Sequence, residues 1–162
     1  MNAIEKLLTI ASNEVGYLEK ASAKSLYDKT ANAGSANYTK YGYEMHQLYP
    51  ATMDYPAAWC DCFVDWCFVQ AFGAEMATKI LHRFDDYTVN SSGYFKNNGE
   101  WYKSPKVGDQ IFFTNSSGGI CHTGLVYAVD NTYVYTIEGN TSSSSGVVAN
   151  GGCVRKKSYK LN

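Results

Sequence analysis

Trp59-Cys60-Asp61-Cys62-Phe63-Val64-Asp65-Trp66 is the stretch on which the fold turns. Pro56-Ala57-Ala58 leads into it. Behind it Phe63, Val64, Cys67, Phe68, Ala71 and Phe72 recur at helical spacing, with Gly73 as terminator. The pattern predicts an amphipathic helix whose first turn carries Cys60. A helix start leaves backbone N–H groups unpaired and presents the positive end of the dipole, so it favours a thiolate. The N–H groups of Cys60 and Asp61 are candidates for holding an oxyanion. Cys62 lies about 200° around the helix from Cys60 and cannot share its cleft. Cys62 and Cys67 therefore read as packing.

Upstream, Ile4, Leu7, Leu8, Ala11 and Val15 make one helical face that ends near Gly16. Residues 17–58 lack periodicity. They are rich in Asn, Gly, Ser and Tyr, with an aromatic concentrate at Asn37-Tyr38-Thr39-Lys40-Tyr41-Gly42-Tyr43. A segment of that length is functional or holds short helices that pattern alone does not reveal. Downstream, 74–98 reads as helix and turn, broken at Asn97-Asn98-Gly99. Strand chemistry then takes over at 110–114, 123–129, 133–137 and 154–159, with Asp130-Asn131-Thr132 as a hairpin turn. Helices first and antiparallel strands last predict one α+β domain over residues 1–162.

His122 opens a predicted strand after a Gly-rich loop. If Val129 pairs with Thr132 or Tyr133, His122 falls opposite Gly139 or Asn140, with Glu138 and Asn140 flanking it. A cysteine nucleophile, a histidine base and a polar residue to orient the ring make a thiol hydrolase. His82, after an apolar run and before Arg83, reads as solvated or capping, and His46 has no such partners.

The totals narrow the classes. A net charge of −1 gives no sequence-independent pull toward nucleic acid or anionic membrane. No run reaches the ~20 apolar residues of a membrane span. Met1-Asn2-Ala3-Ile4-Glu5-Lys6 has neither a basic n-region nor an apolar h-region, so cytoplasmic synthesis without a signal peptide is expected. Five cysteines are an odd count, and free thiols are expected. A zinc site is a competing reading, but C-x-C-x4-C matches no common zinc module. A catalytically silent binding module built on the 14 tyrosines is the other.

Four motifs occur in order: Trp59-Cys60-Asp61-x-Phe63-Val64-x-Trp66, Pro105-x-x-Gly108-Asp109-x-Ile111-Phe112-Phe113, His122-Thr123-Gly124-x-Val126, and Glu138-Gly139-Asn140. Together they resemble the CHAP domain (cysteine, histidine-dependent amidohydrolase/peptidase) of the NlpC/P60 papain-like superfamily. Glu14-x-Gly16-Tyr17 and the 37–42 stretch are similar to CHAP domains of phage and prophage lysins of Gram-positive hosts. The resemblance implies a papain-like fold and hydrolysis of an amide bond in peptidoglycan by a phage or prophage lysin, with a bacterial toxin or autolysin of the same chemistry as the alternative. It implies Cys60 as nucleophile, His122 as base, and Glu138 and Asn140 as the groups that orient the histidine. No cofactor is implied. Only Asp54 stands where some CHAP lysins have an acidic calcium loop, so no metal site of that type is expected. Trp59, Tyr38, Tyr41 and Tyr43 are candidates for the substrate groove. Wall binding is expected either from the groove or from a separate domain or subunit. Cys121, beside His122, is not part of the motif and is expected to pack in the core.

Overall fold

A computed structural model describes all 162 residues. The order is α1 (Ala3–Asn13), α2 (Lys40–Leu48), α3 (Cys60–Phe72), α4 (Ala74–Leu81), α5 (Thr88–Asn97), β1 (Gln110–Thr114), β2 (Ile120–Val129), β3 (Tyr133–Thr141) and β4 (Cys153–Lys160). The strands form one antiparallel sheet in sequence order, β1-β2-β3-β4. Helices from the N-terminal part pack on a C-terminal sheet, which is an α+β fold consistent with the papain-like architecture.

Local chemistry explains the helix starts. Asn2 and Glu5 form a capping box, each side chain accepting the other's backbone N–H at 2.9 Å. Thr39 caps α2 through its hydroxyl, which accepts the Gly42 N–H at 3.0 Å. That cap starts the short helix which the aperiodic 17–58 segment conceals. The start of this segment is tied to the chain near β4: Gly16 N–H donates to Val154 O, Val154 N–H to Tyr17 O, and Glu19 N–H to Gly152 O.

The central helix departs from the amphipathic expectation. Every residue from Cys60 to Phe68 is buried, because α1, α2 and α4 surround α3 while β2 and β3 cover another side. Its core partners include Leu7, Tyr41, Met45, Leu125 and Ile137. Two carboxylates, Asp61 and Asp65, are buried with it. α3 comes close to β3 at Gly139, where a Cβ would stand 2.6 Å from Phe63 Cβ.

The β2–β3 hairpin is longer than its sequence signal. Val129 pairs with Val134, one or two residues beyond the expected partner. A bulge between Val126 and Ala128 absorbs the difference, so that Leu125 pairs with Ile137. β2 begins at Ile120 and β3 runs on to Thr141, which brings His122, Glu138 and Asn140 inside strands.

Candidate active site

Cys60 is the first residue of α3, and Trp59, at the N-cap position, makes no side-chain capping bond. The first-turn N–H groups are therefore free to serve something else. Those of Asp61 and of Thr123 on β2 are directed at the Cys60 thiol and favour its ionised form. Burial outweighs them, assisted by the Asp61 carboxylate, and the thiol is pushed up to about 12. The helix starts at Cys60, where the spacing puts it, and its N–H groups do favour the thiolate, but they do not decide the resting state. With Cys60 only 6% exposed, desolvation exceeds what a few N–H dipoles return.

Thr123 follows His122, so the strand that carries the imidazole abuts the start of α3. His122 is fully buried. Its Nε2 lies 2.8 Å from Glu138 Oε1, and its ring stacks on Phe113 at 5.7 Å between centroids. A carboxylate only accepts, so Nε2 carries a proton, and in the neutral imidazole the lone pair is then on Nδ1. That Nδ1 is buried without a hydrogen-bond partner. The second Glu138 oxygen accepts from Thr136 Oγ1 at 2.5 Å and from the Tyr159 hydroxyl at 2.8 Å. Burial and the Glu138 charge hold the Tyr159 hydroxyl protonated well above its ordinary range. Gly124 makes room for this arrangement, since a Cβ there would meet Glu138 Cγ at 2.6 Å.

Asn140 does not join in. Its Oδ1 accepts from Gly152 N–H at 3.2 Å and its Nδ2 donates to Asn150 Oδ1 at 3.3 Å. Regular alternation would put 138 and 140 on one face. The register shifts between Glu138 and Thr141, and Asn140 has a positive φ of 54°, so its side chain turns to the 150–152 loop.

Of the groove candidates, Trp59 and Tyr41 are completely buried and have no surface to offer a ligand. The Trp59 indole donates to Glu19 Oε1 at 2.9 Å, and the Tyr41 hydroxyl donates to Glu14 Oε1 at 2.8 Å. Both are anchors of the core beside the site. Tyr38 and Tyr43 reach the surface, each edge-on to Tyr55 at 5.5 and 5.8 Å. Cys121 is half-buried, outside the core in which it was expected. His46 Nδ1 meets Met53 O at 2.6 Å, and His82 pairs with Glu100 at 3.0 Å, so neither belongs to the site.

Sequence reasoning missed the side chain of Asp61. Its Oδ2 accepts from Ser91 Oγ at 2.5 Å and its Oδ1 from Gln110 Nε2 at 3.2 Å. Gln110 also donates to Thr123 Oγ1 at 3.1 Å, and Thr123 Oγ1 donates to Ile111 O at 2.7 Å. The network clamps the start of α3 to α5, β1 and β2. Burial raises Asp61 to about 7, although Ser91 and Gln110 oppose the shift. An acidic residue directly after the candidate nucleophile was the one available signal. No group of three or more His, Cys, Asp or Glu is arranged to hold a metal ion, and no helix is long and apolar enough to cross a membrane.

A family model described as the CHAP domain matches residues 50–140, more than half of the chain and the whole span from Cys60 to Asn140. No curated protein and no solved structure matches the chain.

Proposed function

Because the chain belongs to the CHAP domain family, we propose that Cys60 is the nucleophile of a peptidoglycan amidohydrolase, with His122 as its base. Membership implies peptidoglycan amide hydrolysis in general. The observation that carries the finer reading is the state of His122: Nε2 held by Glu138, Nδ1 buried and unpartnered, and the neighbouring Thr123 N–H on the Cys60 thiol.

The chemistry follows from that arrangement. The thiol rests protonated, so its proton passes to His122 Nδ1 as Sγ attacks the amide carbon. Glu138 balances the imidazolium that forms. The carbonyl oxygen gains charge at the start of α3, where the Cys60 and Asp61 N–H groups are free of helical partners. Collapse breaks the C–N bond, His122 returns the proton to the departing amine, and a thioester remains on Cys60. Water then adds to the thioester as His122 takes its proton. Release of the carboxylic acid restores the thiol. Asp61, through Ser91, Gln110 and Thr123, fixes the start of α3 on the strand that carries the base and is a positioning residue. Asn140 supports the strand through the 150–152 loop.

The proposed bond lies in the wall peptide or between muramic acid and L-alanine, and the proposed setting is lysis by a phage or prophage enzyme acting at the cell wall. The partner is peptidoglycan, reached by the groove alone or with a separate wall-binding unit. The test is mass spectrometry of fragments released from purified Gram-positive peptidoglycan by wild type and by Cys60→Ala. New amino groups are expected with wild type only, and fragment masses distinguish amidase from endopeptidase. No release from any wall chemotype by a folded protein would overturn the reading in favour of a silent module.

A further inference from the structure

A second candidate site lies at the edge of the sheet. β1 is an edge strand, and residues 100–105 run beside it to enclose a cavity of about 460 Å³. That is within the ~300–1,000 Å³ of small-molecule sites. Trp101, Tyr102 and Phe112 supply aromatic surface, while Glu100, Lys103 and Asp109 supply charge. Trp101 is 42% exposed and Tyr102 73%, side by side in a chain whose other two tryptophans are buried. The indole is held in place, with Phe112 at 5.7 Å between centroids and Lys96 Nζ 4.4 Å above its ring. Two adjacent exposed aromatics at a cavity mouth are costly in water and recover that cost when a ligand covers them.

The lining selects the ligand. Glu100 and Asp109 are matched by Lys103 and by Lys96 over Trp101, so neither sign of ligand charge is favoured, and the polar share of the wall disfavours a lipid chain. Flat aromatic surface beside hydrogen-bonding groups of both kinds suits an uncharged ring with apolar faces and a polar edge. Gln110 lines the cavity and also donates to Asp61 and Thr123, the residues that hold Cys60 in place. A ligand here therefore rests against the support of the nucleophile.

We infer that this cavity binds an N-acetylhexosamine unit of a glycan strand, stacked on Trp101, while the attached peptide reaches Cys60. The inference rests on the peptidoglycan reading, and its test separates the two. β-1,4-linked N-acetylglucosamine tetrasaccharide is titrated into the wild-type protein, followed by calorimetry and by tryptophan emission. Since Trp59 and Trp66 are buried, the emission change reports Trp101. Saturable binding is expected, weakened about ten-fold or more in Trp101→Ala and also in Tyr102→Ala. On peptidoglycan the same variants are expected to raise KM with kcat retained. No saturable binding, or binding that both variants leave unchanged, overturns the sugar site even if amide hydrolysis proceeds. Binding that depends on Trp101, in a protein that releases no amino groups from peptidoglycan, sustains the site and overturns the hydrolase reading.

Discussion

Two carboxylates serve the candidate site, Asp61 next to Cys60 and Glu138 on His122, both fully buried and held in different ways. Glu138 faces three donors, one of them an imidazole able to take a positive charge. Asp61 has only a serine hydroxyl and a glutamine amide, with Asp85 and Asp86 adding like charge nearby. A carboxylate opposite a potential cation is equipped to balance charge that appears during a reaction. One held by neutral donors, with acids close by, is equipped to hold geometry and is pushed toward its protonated form. Chemically similar residues at similar burial are thus separated by the kind of partner each one finds.

The largest effects are expected where the proposed nucleophile and base are removed. Cys60→Ala is expected to abolish amide hydrolysis, and His122→Ala to lower kcat by roughly 10²–10⁴, both read as amino groups released from peptidoglycan. If Cys62→Ala abolished release and Cys60→Ala did not, the helix-start assignment would fail.

Glu138→Gln comes next. One amide oxygen cannot serve all three donors, and the tautomer of His122 loses its determinant. A fall in kcat of roughly 10²-fold, smaller than that of His122→Ala, is expected in steady-state assays. Unchanged kcat would place Glu138 with Asp61 as a purely positional group.

Asp61→Asn sharpens the comparison through stability rather than rate. An unfolded Asp ionises near ~3.9, and the folded one near about 7. Below the lower value both states are protonated and Asp61 brings no penalty. Between the two values the unfolded chain ionises first, so wild-type stability falls as pH rises, by about 1.4 kcal/mol for each unit of difference. Above about 7 the penalty is complete and constant. Urea denaturation should therefore show the Asn variant gaining on wild type from about pH 4 to about pH 7, then levelling. A difference that stays flat across that window would remove the contrast between the two carboxylates.

Iodoacetamide separates the resting thiol from a preformed thiolate. At neutral pH the half-buried Cys121 and Cys153 are expected to react before Cys60. The Cys60 rate should keep climbing above its ordinary value of 9.0, followed site by site by mass spectrometry. A Cys60 plateau below that pH would indicate an ion pair with His122. The smallest effect is expected of Asn140→Ala, which loosens the 150–152 loop at a cost of about 1 kcal/mol in urea and leaves kcat within about ten-fold.

Most of the elements were legible locally. The start of α3 at Cys60 and the span of β1 from Gln110 to Thr114 follow from spacing and turn residues. α2 was not, because Thr39 and Lys40 begin it inside a stretch without apolar period. The last residues of β3 were not either. Glu138 and Thr141 are in a strand because they pair with Arg155 and Cys153 of β4, and pairing with a distant segment leaves no local trace.

The same division runs through the site. By itself the sequence singled out the candidates for the chemistry: a cysteine at a helix start, a histidine early in a strand, and Glu138 beyond the hairpin turn. These depend on periods of about 3.6 and 2, which the chain displays residue by residue. Only the tertiary structure decided that Asn140 turns away, that Trp59 and Tyr41 are core, and that Asp61 is tied to Gln110 and Thr123. It also decided that the Cys60 thiol rests protonated. Burial is a property of everything packed around a group, and desolvation grows with that burial, so protonation state and partner choice become readable only when α3, α5 and the sheet are together.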